Sequence, residues 1–376
     1  DNSTMALTEA EIISITSASF DGTSTFSPVL NGNDGTSSTL QASGNVVFET
    51  GATIVPTLTN VVGINQTAFT VASAGGQLTV GDLATLSSSE TPFLFNTSYD
   101  VVGNDLVITL QLRDSSELGL DQVQSSAYAP AIQALRNNTE LGDAFSNITT
   151  EREFNSAFNQ VLPEFSAAAR QFVLANVDGA VGAVANHLDS VRRSPDKPGG
   201  AWLQEFAYFA DRELSGLSEQ YRGAGFGISA GLDTAMGPFH AVGVNLGFSS
   251  TEIEDVLGID EPLDVITIQA GAYAGWANGP LGIETYLGGG LNDFEQNRRV
   301  RINSFSGEAQ GDWSGVHINS SARVGYDLDI GDKYWIRPTL SLDYLRLSEK
   351  SYTETGDKGI ALDVDKRTTS SGSATA

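Results

Sequence analysis

Long runs of strict alternation between apolar and small or polar residues dominate the chain from Ala201 onward. A period of two indicates β-strands with one apolar face. The clearest runs lie at 225–233, 242–249, 266–276 and 316–328. They exceed the length of about 5–6 residues that is usual for soluble strands. They approach the 9–11 residues or so of a tilted membrane strand.

The connections between these runs alternate between short and long. The tight ones are 233–238, 277–280 and 330–333, and the extended ones are 250–263, 294–312 and 348–359. Outer-membrane barrels show this asymmetry, with short periplasmic turns and longer external loops. Aromatic residues also lie near strand ends, where interface girdles occur: Trp202, Phe239, Trp276, Tyr334 and Tyr344. Although a soluble sandwich alternates too, these features together predict a transmembrane antiparallel β-barrel over residues 201–376.

Residues 1–114 have a different composition, rich in Ser, Thr, Gly and Asn. Arg113 is the first basic residue of the chain, and ten acidic residues precede it. Short β-type runs such as 45–48, 77–80 and 105–110 are separated by Gly or Asn turn signals. This pattern favours the C-terminal end of a parallel β-helix or solenoid that serves as an autochaperone-like cap. A small β-sandwich is the alternative.

Residues 115–200 form a predicted helical linker. The periodicity predicts helices over 116–137, 151–162 and 164–193. The third helix is thin and nearly uncharged in its middle, where two glycines weaken an isolated helix by about 1 kcal/mol each relative to alanine. We expect such a helix to be enclosed in the barrel lumen, so we predict a pore helix whose small or amide-bearing residues include Ala175, Gly179, Gly182 and Asn186.

Several short sequences between Gly231 and Val364 are similar to recurrent strand and loop sequences of one family. They are Gly231-Leu232-Asp233, Gly243-Val244-Asn245-Leu246-Gly247-Phe248, Ala272-Tyr273-Ala274-Gly275, Asn297-Arg298-Arg299, Gly325-Tyr326-Asp327, Arg337-Pro338-Thr339-Leu340-Ser341-Leu342-Asp343-Tyr344 and Ala361-Leu362-Asp363-Val364. The chain thereby resembles the C-terminal part of an autotransporter, a self-secreting outer-membrane protein of type V secretion. The order of solenoid, thin helix and barrel also resembles that family.

The resemblance implies a twelve-stranded barrel, whereas about eight strand segments can be counted here, from Trp202 to near Leu362. An eight-stranded barrel is filled by its own side chains, so we expect the last strands to be missing from this chain. The resemblance further implies an outer-membrane location, a passenger at the cell surface or secreted, and a monomer. The partners it implies are outer-membrane lipid and lipopolysaccharide, the barrel-assembly machinery, periplasmic chaperones and the chain's own passenger.

Composition excludes several classes of function. A net charge of −26 and a pI near 4.2 argue against a nucleic-acid-binding protein. The chain has no Cys and only three His, so thiol chemistry and a His-rich metal site are not expected. We therefore expect no cofactor and no metal.

Two short motifs resemble sites of peptide-bond cleavage. Gly22-Thr23-Ser24 with Pro28 matches the subtilase nucleophile pattern, but no His occurs before His187, and a turn is the preferred interpretation. Asn137-Asn138 and Asn176 are similar to the linker asparagines at which some autotransporters cut themselves. Helix caps or surface positions are the preferred interpretation there, and we predict no catalytic residue.

Charged residues are expected in loops and in the lumen. The acidic residues between Glu252 and Asp264 predict a solvated loop, and Arg298, Arg299 and Arg301 are candidates for lipopolysaccharide phosphates or for those acids. Strand parity assigns a further set to the lumen. It consists of Glu284, His317, Arg323, Arg337 and Asp343. His187 and His240 are interpreted as incidental.

The leading functional hypothesis is an outer-membrane translocator that anchors and exports its own N-terminal passenger and catalyses no reaction. The alternatives are a surface adhesin or other binding passenger, and an enzyme passenger such as a serine protease whose catalytic part lies upstream of residue 1. Strand parity also predicts that Ile228 and Ile268 face lipid and that Ser229 and Gln269 face the lumen.

Overall fold

The chain forms two compact units, which we call the N-terminal and the C-terminal unit. The N-terminal unit consists of Asp1–Leu162, Arg299–Gly307 and Asp357–Ile360. The C-terminal unit consists of Pro163–Arg298, Glu308–Gly356 and Ala361–Ala376. The computed structural model describes residues 3–32, 34–60, 65–86, 91–163, 168–193, 199–212, 221–255, 262–330, 334–356 and 359–376.

Short strands make up the first part of the N-terminal unit. They are β1 Thr4–Ala6, β2 Ile12–Ile15, β3 Ala18–Phe20, β4 Thr25–Ser27, β5 Val29–Asn31, β6 Thr36–Ser37, β7 Thr39–Ala42, β8 Val46–Phe48, β9 Thr53–Ile54, β10 Thr57–Thr59, β11 Gln66–Ala74, β12 Leu78–Val80, β13 Phe95–Val102 and β14 Asp105–Leu112. Helices α1 Leu83–Leu86, α2 Gln122–Asn137, α3 Thr139–Ser146 and α4 Glu151–Gln160 complete it.

Strands β1–β5 and β7–β12 pair in parallel with strands about one coil away in sequence, whereas the pairs β5–β6, β11–β14 and β13–β14 are antiparallel. Ala18 pairs with Val46, and Val46 with Leu78, so one coil takes roughly 30 residues, within the 20–50 of such repeats. The parallel pairing confirms the solenoid and excludes the sandwich. Its interior is apolar, and the rings of Phe20 and Phe48 stack with centroids 4.6 Å apart.

The first helix after the solenoid begins later than predicted. The helix predicted from Ser116 begins instead at Gln122, because Asp121 caps it in a reciprocal capping box with Gln124. Asp114 accepts hydrogen bonds from the amides of residues 116 and 117, which holds the preceding segment in turns. Helix α3 was not predicted at all.

The C-terminal unit contains a long helix followed by an antiparallel sheet. The helix is α5 Ala168–Arg193; residues 164–167 of the predicted span lie outside the described residues. The strands are β15 Gly200–Arg212, β16 Tyr221–Met236, β17 Phe239–Asp255, β18 Pro262–Asn278, β19 Leu281–Ile302, β20 Phe305–Tyr326, β21 Leu328–Ile330, β22 Tyr334–Ile336, β23 Thr339–Glu349, β24 Tyr352–Thr353, β25 Thr355–Gly356, β26 Asp363–Val364 and β27 Arg367–Thr375.

Eight strands form the main path of this sheet in the order β15-β16-β17-β18-β19-β20-β23-β27, and β25 pairs with β20 beside it. The last of them begins at Arg367, so the prediction of a last strand near Leu362 was wrong. The prediction of an extended loop over 294–312 was also wrong. Strands β19 and β20 continue through it and meet at a two-residue turn, where Asn303 adopts a positive φ of 51°.

The two faces of the sheet differ in what they expose. Ile268 is 57% exposed, while its neighbour Gln269 is 2% exposed. Ile228 and Ser229 show the same contrast, so the predicted parity of both pairs is confirmed. The face that carries the exposed apolar side chains is called the outer face, and the other is called the inner face. Along β19 and β20, outer-face residues change from apolar ones such as Leu291 and Val316 to charged ones such as Asp293 and Asp312.

None of the helices in the described part of the chain is both long enough and apolar enough to span a membrane.

Candidate functional site

Helix α5 packs against the inner face of the sheet through an apolar stripe. Phe172, Val173 and Val177 are buried with side chains of β17 and β18, and they form one core cluster there. Leu188 and Tyr273 belong to a second cluster nearer the end of the helix. Within the C-terminal unit the helix thus packs on the inner strand face, and its enclosure in a barrel lumen stays a prediction.

A single amide in the middle of the helix joins three strands. Asn176 is fully buried, and its Oδ1 accepts hydrogen bonds from the hydroxyls of Tyr208, at 2.5 Å, and Thr251, at 3.3 Å. Its Nδ2 donates to Thr267 Oγ1 at 3.3 Å. Thr267 in turn donates to Asn292 Oδ1 at 2.9 Å. A buried polar group needs such partners, so Asn176 fixes the position of the helix along the strands.

His187 is part of a second polar group, on the C-terminal half of the helix. Its Nε2 forms a short hydrogen bond with Asp233, whose side chain is fully buried. Tyr273 donates to the same carboxylate at 2.8 Å and accepts from Trp202 Nε1 at 2.6 Å. The Trp202 and His187 rings stack with centroids 4.9 Å apart. Trp202 therefore faces inward, and its assignment to an outer aromatic girdle was wrong, as was the view of His187 as incidental.

An alternating network of charges lies at the C-terminal end of the helix. Arg337 pairs with Asp189 of the helix and with Glu284 of β19. Arg323 lies 3.7 Å from Glu284. Arg192 donates to Asp327 at 2.7 Å and to the Pro280 carbonyl at 2.9 Å. Buried charges need opposite partners, and here the helix and the strands supply them to each other.

Of the five residues predicted to face the lumen, all lie on the inner face. Glu284 and Arg337 pair as described above, and Arg323 approaches the same carboxylate. His317 is fully buried and its Nδ1 lies 3.0 Å from Asn292 Nδ2. Asp343 borders a cavity of about 230 Å³, which helix residues Asp178 and Gly182 also line.

The four small or amide-bearing positions of the helix have different surroundings. A Cβ on Gly179 would lie 2.4 Å from the Phe206 ring, whereas nothing lies within 4 Å of a Cβ on Gly182. Ala175 is half-buried and Asn186 is exposed. The close approach of helix and sheet thus depends on Gly179, and Gly182 borders open space. Asn176, which the sequence suggested only as a cleavage candidate, is the amide that bonds to the strands.

Comparisons with known proteins bear on the same region. Residues 201–376 match the family model described as the autotransporter β-domain. This segment is an autotransporter β-domain. One solved structure that the chain is similar to is the translocator domain of the autotransporter NalP from Neisseria meningitidis, with 14% identity, 55% of this chain and 69% of that chain covered, and a TM-score of 0.42. No curated protein matches the chain. The family is one of outer-membrane β-barrels with a translocator role.

One of the three arginines that were candidates for lipopolysaccharide has other surroundings. Arg298 is buried and forms a two-point ion pair with Glu354, with Nε to Oε1 at 3.0 Å and NH2 to Oε2 at 2.5 Å. The Leu362 amide donates to the same Glu354. The interpretation of Arg298 as an exposed lipopolysaccharide ligand was therefore wrong. In the predicted acidic loop, Glu252 is exposed, but residues 256–261 lie outside the described residues.

The motifs that resembled sites of cleavage occupy structural positions. Ser24 donates to Asp21 at 2.8 Å in a turn and has no His nearby in sequence. Asn138 caps helix α3, where its Oδ1 accepts from the Leu141 amide. Within the described ranges, no group of three His, Asp or Glu side chains is arranged to hold a metal ion.

Proposed function

We propose that the β-domain and helix α5 anchor this chain in an outer membrane and export to the cell surface an N-terminal passenger, of which residues 1–114 are the C-terminal end. The observation that supports this most strongly is the polarity of the sheet. Its outer face presents Leu203, Leu246, Leu287 and other large apolar side chains to the surroundings, while the inner face combines an apolar core with buried polar residues such as Ser229, Asn245 and Gln269. A soluble sheet buries its large apolar side chains, whereas this sheet exposes them. Exposed apolar side chains are what the lipid-facing side of a membrane β-barrel carries.

Helix α5 is the second support for the proposal. It connects the passenger to the first strand in sequence, and it binds the inner face through Asn176, His187 and the charge network. A helix of this length spans about 39 Å at 1.5 Å per residue, more than the hydrocarbon layer of about 30 Å. It therefore has the length needed to lie through a pore and hold a passenger on one side.

The proposal assigns no reaction to residues 1–376: the charged groups Asp189 of the helix and Glu284 and Arg337 of the inner face pair with one another. The partners we propose are outer-membrane lipid and lipopolysaccharide, the barrel-assembly machinery and periplasmic chaperones. The chain's own passenger is a further proposed partner, and the proposed oligomeric state is a monomer.

Export can be tested in intact cells that produce the full-length protein. Single cysteines are placed at Ser304, in the β19–β20 turn, and at Asn278, beside a tight turn, since both residues are exposed. We expect an impermeant maleimide to label Ser304→Cys and not Asn278→Cys. Both should become labelled after the outer membrane is permeabilised.

The passenger is followed in the same cells with an epitope in the exposed turn at Gly35. Folded insertion is measured separately by faster gel migration of the unheated protein. Surface labelling of Ser304 together with a hidden passenger epitope would contradict export. Labelling of Asn278 alone would contradict the orientation.

A further inference from the structure

The tip of the β19–β20 hairpin belongs to the β-domain by sequence and to the N-terminal unit by packing. Residues 299–307 lie within the segment that matches the family model. They are nevertheless part of the compact N-terminal unit, together with residues 1–162. Residues 357–360, from the connection between β25 and β26, are assigned to the same unit. Two separate stretches of β-domain sequence therefore complete the N-terminal unit.

One side of the hairpin tip is apolar and buried. Val300, Ile302 and Phe305 are at most 4% exposed, whereas Arg301 between the first two is exposed. Ile360, from the second stretch, is buried as well. A hairpin tip surrounded by water would expose these side chains, and removing apolar surface from water is favourable. The buried side of the tip therefore stabilises the unit to which it belongs.

Hydrogen bonds join the same tip to helices α3 and α4. The Arg301 amide donates to Gln160 Oε1 of α4 at 2.7 Å. Asn303 Nδ2 donates to the Ala144 carbonyl of α3 at 2.8 Å. The partners are 141 and 159 residues apart in sequence. An apolar centre with polar groups around it is the usual build of a protein interface, and these two bonds fix where the helices lie on the tip.

We propose that the hairpin tip and residues 357–360 form a docking surface for helices α3 and α4, which retains the N-terminal unit by noncovalent contact. The partner is a segment of the same chain, Thr139–Leu162, recognised by the apolar side of the tip and by two amide donors. A cut between α4 and α5 would then leave the N-terminal unit attached. In cells this rests on the proposed function, because only an exported passenger can be retained at the cell surface.

The full chain in detergent micelles gives a direct test that needs no export. A recognition sequence for a site-specific protease replaces residues 164–167, between α4 and α5, and the cut is verified on a denaturing gel. One fragment then carries the solenoid with α3 and α4, and the other carries α5 and the strands. We expect the two fragments to elute together in gel filtration. Separation of the fragments without any further change would overturn the proposal.

Three variants weaken the contact by different means. Asn303→Gly removes the amide while keeping a residue that tolerates the positive φ of 51°. Gln160→Ala removes the acceptor of the Arg301 amide. Each should raise the rate at which the cut fragments separate about two- to tenfold, the effect of one lost hydrogen bond. Ile302→Asp places a carboxylate in the buried apolar side and should release the fragment within the time of the elution.

Ser304→Ala is the matched control, because it alters an exposed side chain next to Asn303. It should leave the separation rate unchanged. Fast gel migration of the uncut, unheated protein shows for each variant that the β-domain is folded, and Asn303→Gly and Gln160→Ala decide the question if Ile302→Asp does not fold. Equal separation rates in Asn303→Gly, Gln160→Ala and Ser304→Ala would overturn the proposal. Joint elution in micelles with a passenger epitope that stays hidden in cells would count against the proposed function instead.

Discussion

The solenoid and the sheet of the β-domain are both built of strands with two different faces, but the apolar face is buried in the solenoid and exposed on the sheet. In the solenoid Phe48 and Leu30 point into a dry core and polar residues face water. In the sheet Ile268 and Leu246 point outward, and Gln269 and Asn245 point inward. In the sheet the period predicts the strands, whereas in the solenoid short β-type runs between turn residues predict them. Strand length, together with the residues on the second face, indicates which face is buried in protein.

The largest effect on stability is expected when one aromatic ring is removed from the solenoid and one from the sheet. Phe48→Ala leaves a cavity beside Phe20 and should lower the free energy of unfolding of the solenoid by about 3–5 kcal/mol. Phe226→Ala removes a ring that is 58% exposed on the outer face and should cost less than half as much. Denaturant unfolding in micelles, followed by circular dichroism and amide exchange, measures both. Equal losses would show that the two regions bury their apolar residues in the same way.

A charge placed on each face of the sheet tests lipid exposure. Ile268→Arg should cost roughly 2–4 kcal/mol of folding into vesicles, the value for a cation at the bilayer midplane. Ser321→Arg is the better inner-face control than Gln269→Arg. Ser321 lines the cavity beside Asp343, whereas Gln269 is tightly packed. Equal folded yields of Ile268→Arg and Ser321→Arg would contradict the assignment of the outer face to lipid.

The two helix glycines sharpen the comparison on the inner face. Gly179→Ala drives a methyl group into the Phe206 ring, which Gly227 confines from the other side, and should destabilise the folded β-domain by about 1–3 kcal/mol. Gly182→Ala meets no atom and should stabilise the helix by up to about 1 kcal/mol. The temperature at which fast gel migration is lost reports both changes. An effect of the same sign in both variants would contradict this packing.

The smallest effect concerns pH and separates two carboxylates of the N-terminal unit. Burial raises the pKa of Asp143, so the folded state binds its proton more tightly than the unfolded state does. The stability of the wild type should therefore increase relative to Asp143→Asn as the pH falls from neutral toward the folded pKa. Asp143→Asn keeps an acceptor for the Asn60 amide, which donates to Asp143 Oδ1, and should be within about 1 kcal/mol of the wild type at neutral pH.

Asp21 is the control of opposite sign for this experiment. Hydrogen bonds from the Thr23 amide and the Ser24 hydroxyl lower its pKa, so its contribution is present above the ordinary carboxyl range and is lost as the pH falls. Relative to Asp21→Asn, the wild type should therefore become less stable in acid. Parallel pH profiles for the two variants would contradict one of the two assignments.

The sequence predicted those features that depend on local periodicity, and it failed where distant residues meet. Alternation alone placed Ile268 and Gln269 on the correct faces. The run from Phe294 to Asp312 was misread as a loop because its outer-face residues are polar, although its strand pairing continues. For the same reason Arg298 was taken as exposed: its partner Glu354 lies 56 residues later, and no local pattern joins them.

The start of the first helix could not be predicted, because two residues are suitable as its N-cap. Asp114 and Asp121 are both good helix N-caps, and sequence alone did not show that the first one closes a turn. The solenoid was recognisable from composition, but its register was not, since successive coils differ in length. Asn176 and Gln160 carry no local signal, because each bonds to residues that only the folded chain brings near.

The outer-face side chains of the β19–β20 hairpin change from apolar to charged along its length, and the length of the apolar part can be compared with the thickness of a bilayer. Mostly apolar outer-face positions, interrupted by Thr285, Gly289 and Ser320, run from Ile283 to Leu291 on one strand and from Val316 to Tyr326 on the other, roughly ten residues each. Ten residues rise about 33 Å along a strand, or about 23 Å along the membrane normal at a tilt of about 45°. That height matches an apolar band of about 25 Å. In the proposed outer-membrane setting, the apolar half of this hairpin lies within the bilayer, and its charged half, from Asp293 to Asp312, lies in the aqueous layer beyond it.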